Sequence, residues 1–142
     1  MNVDRDRNMA LKPSYNAKLY LPGLSNTEIL ILALEASQKL EWNIEEVTPE
    51  GIRFEVPFSI RSHGEAITFT IEKGSDGEVS VRSQSSSVQF VDYGKNRKNI
   101  QKLRETMEEI KASLTPEELA QRAKDFEEEF NRPLTEEEKA YI

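Results

Sequence analysis

From Ile52 to Ile60 every second residue is apolar: Ile52, Phe54, Val56, Phe58 and Ile60 alternate with Arg53, Glu55, Pro57 and Ser59. A strand sends successive side chains to opposite faces, so this run predicts a sheet with one apolar face and one wet face. A chain that carries it must cover the first face and can leave the second to water. Pro57 brings no amide hydrogen, so the strand is at an edge, bulged or broken there. The same period of two returns at Ile67, Phe69 and Ile71, and again at Val79 and Val81. With Asn43 to Val47 ahead of them these segments predict a four-stranded antiparallel meander. Its connections are the tight turn Thr48-Pro49-Glu50-Gly51, the connector Arg61-Ser62-His63-Gly64, and the loop Lys73-Gly74-Ser75-Asp76-Gly77, whose glycines admit positive φ. A separate strand, Ala17 to Leu21, is stopped by Pro22-Gly23.

Two helices supply the cover. Ser25 and Glu28 form a capping box with Leu24 and Ile29 as staple, and the body to Leu40 is apolar over more than one stripe. Ile100, Leu103, Met107, Ile110 and Leu114 recur at spacings of three and four, one apolar stripe to lay on the sheet. The expectation is therefore an α+β domain, a two-layer sandwich over residues 15–113. It has a five-stranded, mainly antiparallel sheet in β-α-β-β-β-β-α order, with helices 25–40 and 96–113 on one face. Residues 1–14, polar and without period, read as a flexible lead-in. Residues 114–142 read as a charged helical extension with caps at Thr115/Glu118 and Thr135/Glu138. The last of these helices has about two turns before the sequence ends, too short to hold alone, which suggests the front part of a longer protein cut at Ile142.

The residue inventory excludes much chemistry. Of 142 residues none is Cys and one is His, which removes disulfides, thiolate nucleophiles and Cys- or His-rich metal sites. The longest apolar run, Ile29 to Leu34, falls far short of a membrane span. His63 sits in a polar turn without partners, the serines at 83, 85, 86 and 87 have no neighbouring base, and no nucleophile elbow or phosphate-cradling glycine loop occurs. Glu45-Glu46, Glu108-Glu109 and Glu127-Glu128-Glu129 read as solvated faces. No catalytic residue, metal or cofactor is expected of this segment.

One stretch departs from this blandness. Asp92 to Arg104 holds five bases and one acid, a local +4 in a chain of net charge −7, while Ser113 to Ile142 holds nine acids and four bases. Lys95, Arg97 and Lys98 crowd a helix start, where the macrodipole disfavours cations by a few tenths of a kcal/mol each. Either neighbouring acids and a cap from Asn96 or Asp92 offset this, or an anion, phosphate or lipid headgroup does, held by helix-start amides with Asp92, Lys95, Asn96, Arg97 and Lys98 around it. Nucleic acid is not expected as a partner, since the chain is acidic and no aromatic platform interleaves the bases.

Val79-Ser80-Val81-Arg82-Ser83-Gln84-Ser85, followed by Asp92-Tyr93-Gly94-Lys95-Asn96-Arg97-Lys98-Asn99-Ile100, resembles the soluble N-terminal domain of Bacteroidetes rhomboid-family intramembrane serine proteases. Ala33-Leu34-Glu35-Ala36, Leu40-Glu41-Trp42-Asn43-Ile44 and Leu114-Thr115-Pro116-Glu117-Glu118-Leu119 are similar to it as well. The same core resembles a widespread bacterial domain of unknown function with Arg-Ser-x-Ser and Asp-x-Gly-x-Asn motifs. The rhomboid resemblance implies a non-catalytic cytosolic regulatory or interaction domain. Its partners would be the membrane-embedded protease body in the same chain, and an anionic membrane surface or a protein. The full-length protein would sit in the inner membrane, with its catalytic serine and histidine outside this segment. The other reading is a free-standing binding domain for a small anionic or lipid-headgroup ligand, in a pocket between sheet and helices near residues 92–98.

Overall fold

A computed structural model describes residues 14–57, 65–71, 77–85 and 94–140. In chain order the elements are β1 (Ser14–Tyr20), α1 (Asn26–Lys39), β2 (Asn43–Thr48), β3 (Gly51–Val56), β4 (Glu65–Ile71), β5 (Glu78–Ser85), α2 (Lys95–Ser113), α3 (Pro116–Asn131) and α4 (Glu136–Lys139). The strands form one sheet in the order β1-β5-β4-β3-β2, every pairing antiparallel. Four strands meander as the alternating pattern implies, and β3 ends at Val56, immediately before Pro57. β1 closes against β5, the strand farthest from it along the chain. At that seam Gly77 has φ +73, and the Leu21 amide donates to its carbonyl at 2.7 Å. A Cβ on Gly77 would lie 2.3 Å from the Leu21 carbonyl oxygen, so the close approach of the two chains requires glycine.

The register stacks the apolar face in rows. Leu19, Val79 and Ile71 form one row, and Ala17, Val81, Phe69, Ile52 and Val47 the next. Tyr15, Ser83, Ile67, Phe54 and Ile44 form a third, in which the first serine enters; Ser85 follows one row on. The face thus turns polar toward the C-terminal end of β5, where α2 begins. Helices α1 and α2 lie on this face together, as the one-sided pattern demands, and Phe54, Ile67, Phe69, Val79, Ile29, Leu32 and Leu103 are fully enclosed between the layers. The opposite face stays polar and exposed through Arg53, Thr68, Thr70 and Arg82.

Ile29, Leu30, Ile31, Leu32 and Ala33 are all buried. Five consecutive residues, each turned 100° from the last, sweep the whole circumference of a helix, so α1 is covered on its outer side too. α3 provides that cover. It runs antiparallel along α1, with an Arg122–Glu35 ion pair at one level and Thr27 donating to Glu127 at 2.7 Å at another. Ile31 lies between Thr27 and Glu35 at four-residue spacing, and Leu119, Ala123 and Phe126 face that stripe. α1 ends in a Schellman arrangement: the Glu41 amide donates to the Gln38 carbonyl and the Trp42 amide to that of Ser37, with Glu41 at φ +61. That turn drops Trp42 into the core, its ring 6.1 Å from that of Phe54. At the far end of α3, Arg132 grips Glu138 through two hydrogen bonds of 2.7 and 2.9 Å and so links α4 to it.

Leu119 is 3% exposed, and truncation to Ala is expected to cost about 3 kcal/mol, read as a lower urea midpoint at unchanged slope. The Arg132 guanidinium, with further help from the Thr135 cap, pulls the Glu138 carboxyl down from its ordinary 4.5 to about 2. A carboxyl lowered on folding contributes its stability above the unfolded value and loses it on acidification, so α4 is expected to release Arg132 as pH falls from about 4.5 through about 2. The amide shifts of Thr135 and Glu138 followed against pH would report it, and added salt should weaken the contact because both groups are exposed.

Candidate functional site

β5 and α2 meet where the apolar face of the sheet turns polar. Gly94 is the N-cap of α2 at φ +73, ψ +13, a left-handed conformation that suits glycine, and a glycine brings no side chain of its own to cap the helix. The other three helices begin with complete capping boxes, Ser25/Glu28, Thr115/Glu118 and Thr135/Glu138, each with acid in the first turn. The first turn of α2 has no acid. Its backbone ladder opens with the Lys98 amide donating to the Gly94 carbonyl at 3.0 Å. The amides of Lys95 and Arg97 precede that first rung and have no intrahelical acceptor.

Behind this start lies a row of buried polar side chains. Asn96 is fully buried; its Oδ1 accepts from the Ser83 hydroxyl at 2.8 Å, and its Nδ2 donates to Ser85 Oγ at 3.2 Å. The contact ties the last turn of the sheet face to the first turn of α2 and gives both serines a partner in a place that excludes water. Its direction is set: Ser83 donates to Asn96 and Asn96 donates to Ser85, which leaves the Ser85 hydroxyl hydrogen as the outer donor of the row. Asn99 follows at i+3 on the same face of the helix, 4% exposed, and its Nδ2 has no hydrogen-bond partner. A buried amide left unpaired costs about 1–3 kcal/mol.

The residues singled out in the sequence fall into three groups. Asp92 lies outside the described residues, as do His63, Ser86 and Ser87. Asn96 is inside the helix rather than at its cap, and turns inward to the sheet. Lys95 is half-buried, while Arg97 and Lys98 are exposed. Successive 100° steps carry Arg97 and Lys98 off the inward face, so the three bases do not converge with Asn96 on one point. None of the three bases has an ion-pair partner among the described residues. Two grooves near the described strands lie on the uncovered sheet face, one lined by Asn16, Thr68 and Arg82 and the other by Thr48, Arg53 and Thr70. Neither is the sheet-to-helix pocket expected near residues 92–98. Asn99 was not anticipated. Its signal was present: an asparagine three residues after Asn96, in step with Ile100, Leu103 and Met107. Among the described residues no three His, Cys, Asp or Glu side chains are grouped to hold a metal, and no helix is long and apolar enough to cross a membrane.

A family model described as a protein of unknown function, DUF1499, matches residues 10–107, which span β1 to the middle of α2. No curated protein and no solved structure matches the chain. The match overturns the rhomboid resemblance, on which the protease-body partner and the inner-membrane location alone rested. The physical reason is visible at the motifs that carried it. Ser83, Ser85 and Asn96 make an interior strand-to-helix contact, and such a contact reports how two elements are joined, not what the domain is joined to.

Replacing the two asparagines should have opposite effects. Asn96→Leu strands two buried hydroxyls and is expected to cost about 1–3 kcal/mol, whereas Asn99→Leu removes an unpaired amide and should raise stability by about 1 kcal/mol. Urea denaturation of both variants distinguishes an amide that holds the fold from one that does not.

Proposed function

We propose that this chain, which belongs to the DUF1499 family of proteins of unknown function through residues 10–107, is a non-catalytic binding domain for a small anionic ligand held at the start of α2. The observation that carries this reading is the buried Asn99 amide without a hydrogen-bond partner, on the first turns of a helix whose N-cap is a glycine. Several donors among the described residues there have no acceptor. The Lys95 and Arg97 amides, the Ser85 hydroxyl hydrogen and Asn99 Nδ2 all need an acceptor, and the half-buried Lys95 ammonium brings positive charge. A group with acceptors only, an anion, satisfies them together. It also removes the conflict between three cations and the positive end of the helix dipole.

A ligand that binds only the folded chain stabilises it by mass action, by about 2.7 kcal/mol at 100 times its dissociation constant. Inorganic phosphate is therefore expected to raise the unfolding midpoint progressively above that in chloride of equal ionic strength. Lys95→Ala should weaken the effect several-fold. Identical midpoints in phosphate and chloride over the whole titration would end this reading.

A further inference from the structure

We infer that the uncovered face of the sheet holds a separate site, centred on Arg82, for one carboxylate carried on a small hydroxylated body, the chemistry of a sugar acid. The register builds it. Two rows of outward side chains cross the strands: Asn16, Arg82, Thr68 and Arg53 stand opposite one another in the first, and Lys18, Ser80 and Thr70 in the second. Opposed residues are about 4.5–5.5 Å apart from Cα to Cα, and the two rows, two residues apart along each strand, are about 7 Å apart. Between the rows lies one groove of about 600 Å³, lined by Asn16, Lys18, Thr68, Thr70, Ser80 and Arg82. Ala17 and Val81, whose side chains turn to the core, give it a floor of backbone. Its size is that of an ordinary small-molecule site, about 300–1,000 Å³.

The three cations of these rows differ in what surrounds them. Lys18 is ion-paired to Glu78 at 2.8 Å, and Arg53 to Glu45 at 3.1 Å and Glu46 at 3.5 Å. Arg82 has no ion-pair partner among the described residues. The register gives the reason: Asn16 and Thr68 stand opposite it, Ser80 and Gln84 flank it on β5, and no diagonal position on β1 or β4 is acidic. Lys18 and Glu78 offset each other, so the groove presents one uncompensated positive charge. The Arg82 guanidinium is a planar fork, which a carboxylate meets with two parallel hydrogen bonds and a single negative charge. A phosphomonoester, at about −1.5 to −2, brings more charge than the groove offsets. Beside the fork stand the Thr68 and Thr70 hydroxyls and the Asn16 carboxamide, groups that both donate and accept. Hydroxyls on a ligand do the same and can replace the water around them, whereas an apolar body would strip these groups and return no hydrogen bond. Among the described residues no aromatic side chain lines the groove to hold such a body.

The test is a titration of the full chain with galacturonate, its neutral counterpart galactose, acetate and methyl phosphate at constant ionic strength. It is read at the backbone amide signals of residues 16–18, 68–70 and 80–82; those of residues 95–99 report the α2 start independently. Galacturonate is expected to bind at least about tenfold more tightly than each of the other three, a gap of about 1.4 kcal/mol. Arg82→Gln, at an exposed position, should keep the fold and abolish the preference for galacturonate over galactose. Thr70→Val should lower galacturonate affinity several-fold. A further arm uses trigalacturonate: binding more than about threefold tighter than the monomer, beyond the gain from three copies, assigns the sugar acid to a polysaccharide, and weaker binding assigns it to a free molecule. If galactose, acetate or methyl phosphate binds as tightly as galacturonate, or Arg82→Gln leaves the preference intact, the inference is overturned. Unmoved signals on β1, β4 and β5 with every ligand overturn it as well, whatever the signals of residues 95–99 do.

Discussion

One face of the sheet must be kept from water, and the rest of the architecture answers to that. Three register rows place Leu19, Val79, Ile71, Val81, Phe69, Ile52, Ile67 and Phe54 on a common surface. At about 25 cal/mol per Å² of apolar area, no arrangement that left those rows exposed would compete with one that covered them. Two helices are needed because the sheet is five strands wide and a helix is about 10 Å across. The second consequence is less direct. The middle of α1, Ile29 to Ala33, is apolar around the helix, so laying it on the sheet solves one exposure and creates another, which α3 closes with Leu119, Ala123 and Phe126. The family match stops at residue 107, before α3, yet α3 packs on α1, a helix inside the matched segment. The charged segment after residue 114 therefore contributes a structural wall as well as acidity.

Within that apolar layer the Ser83–Asn96–Ser85 contact has a different task. Hydrophobic area is non-directional and would accept α2 at several registers along β5. A buried asparagine with both ends of its carboxamide committed to two serines accepts few, because any slip leaves three polar groups unpaired. The contact thus locates the first turn of α2 against the end of the sheet, and with it the left-handed Gly94 and the amides that follow. Asn99 stands in the same environment without such a commitment. Two asparagines three residues apart, one satisfied and one not, separate the requirement of folding from whatever else this end of the molecule is for.

The strands and helices were legible because each is a local pattern: a period of two in β3, β4 and β5, a helical apolar spacing in α2, and capping boxes at the starts of α1 and α3. The break at Pro57 was legible for the same reason. The closure of β1 on β5 was not, since about sixty residues separate partners such as Leu19 and Val79 and nothing in either segment names the other. The site was half legible. Excess base at the start of α2 is visible in composition, but charge does not say which way a residue turns. The sequence offers Asn96 or Asp92 as the cap; Asp92 lies outside the described residues, and the helical step sends Asn96 inward while Arg97 and Lys98 are exposed. Ser83 and Ser85 have no neighbouring base in the sequence, which speaks against nucleophiles and is silent on hydrogen-bond partners.

Net charge gives a misleading account of what such a domain can hold. A chain of −7 repels anions at long range, and nine of its acids lie beyond residue 113. That repulsion fades over about 8–10 Å at physiological salt, whereas a hydrogen bond to a charged acceptor acts at about 2.7–2.9 Å and is about twice as strong as a neutral one. Affinity for a small anion is therefore decided by the few donors that touch it. The mean field lowers the rate of encounter and discourages extended polyanions, whose many charges sample the acidic surface as well. On the proposed reading, overall acidity joined to a local group of donors would suit a small anionic group better than a nucleic-acid backbone, and contacts to single donors would matter more than the number of lysines nearby.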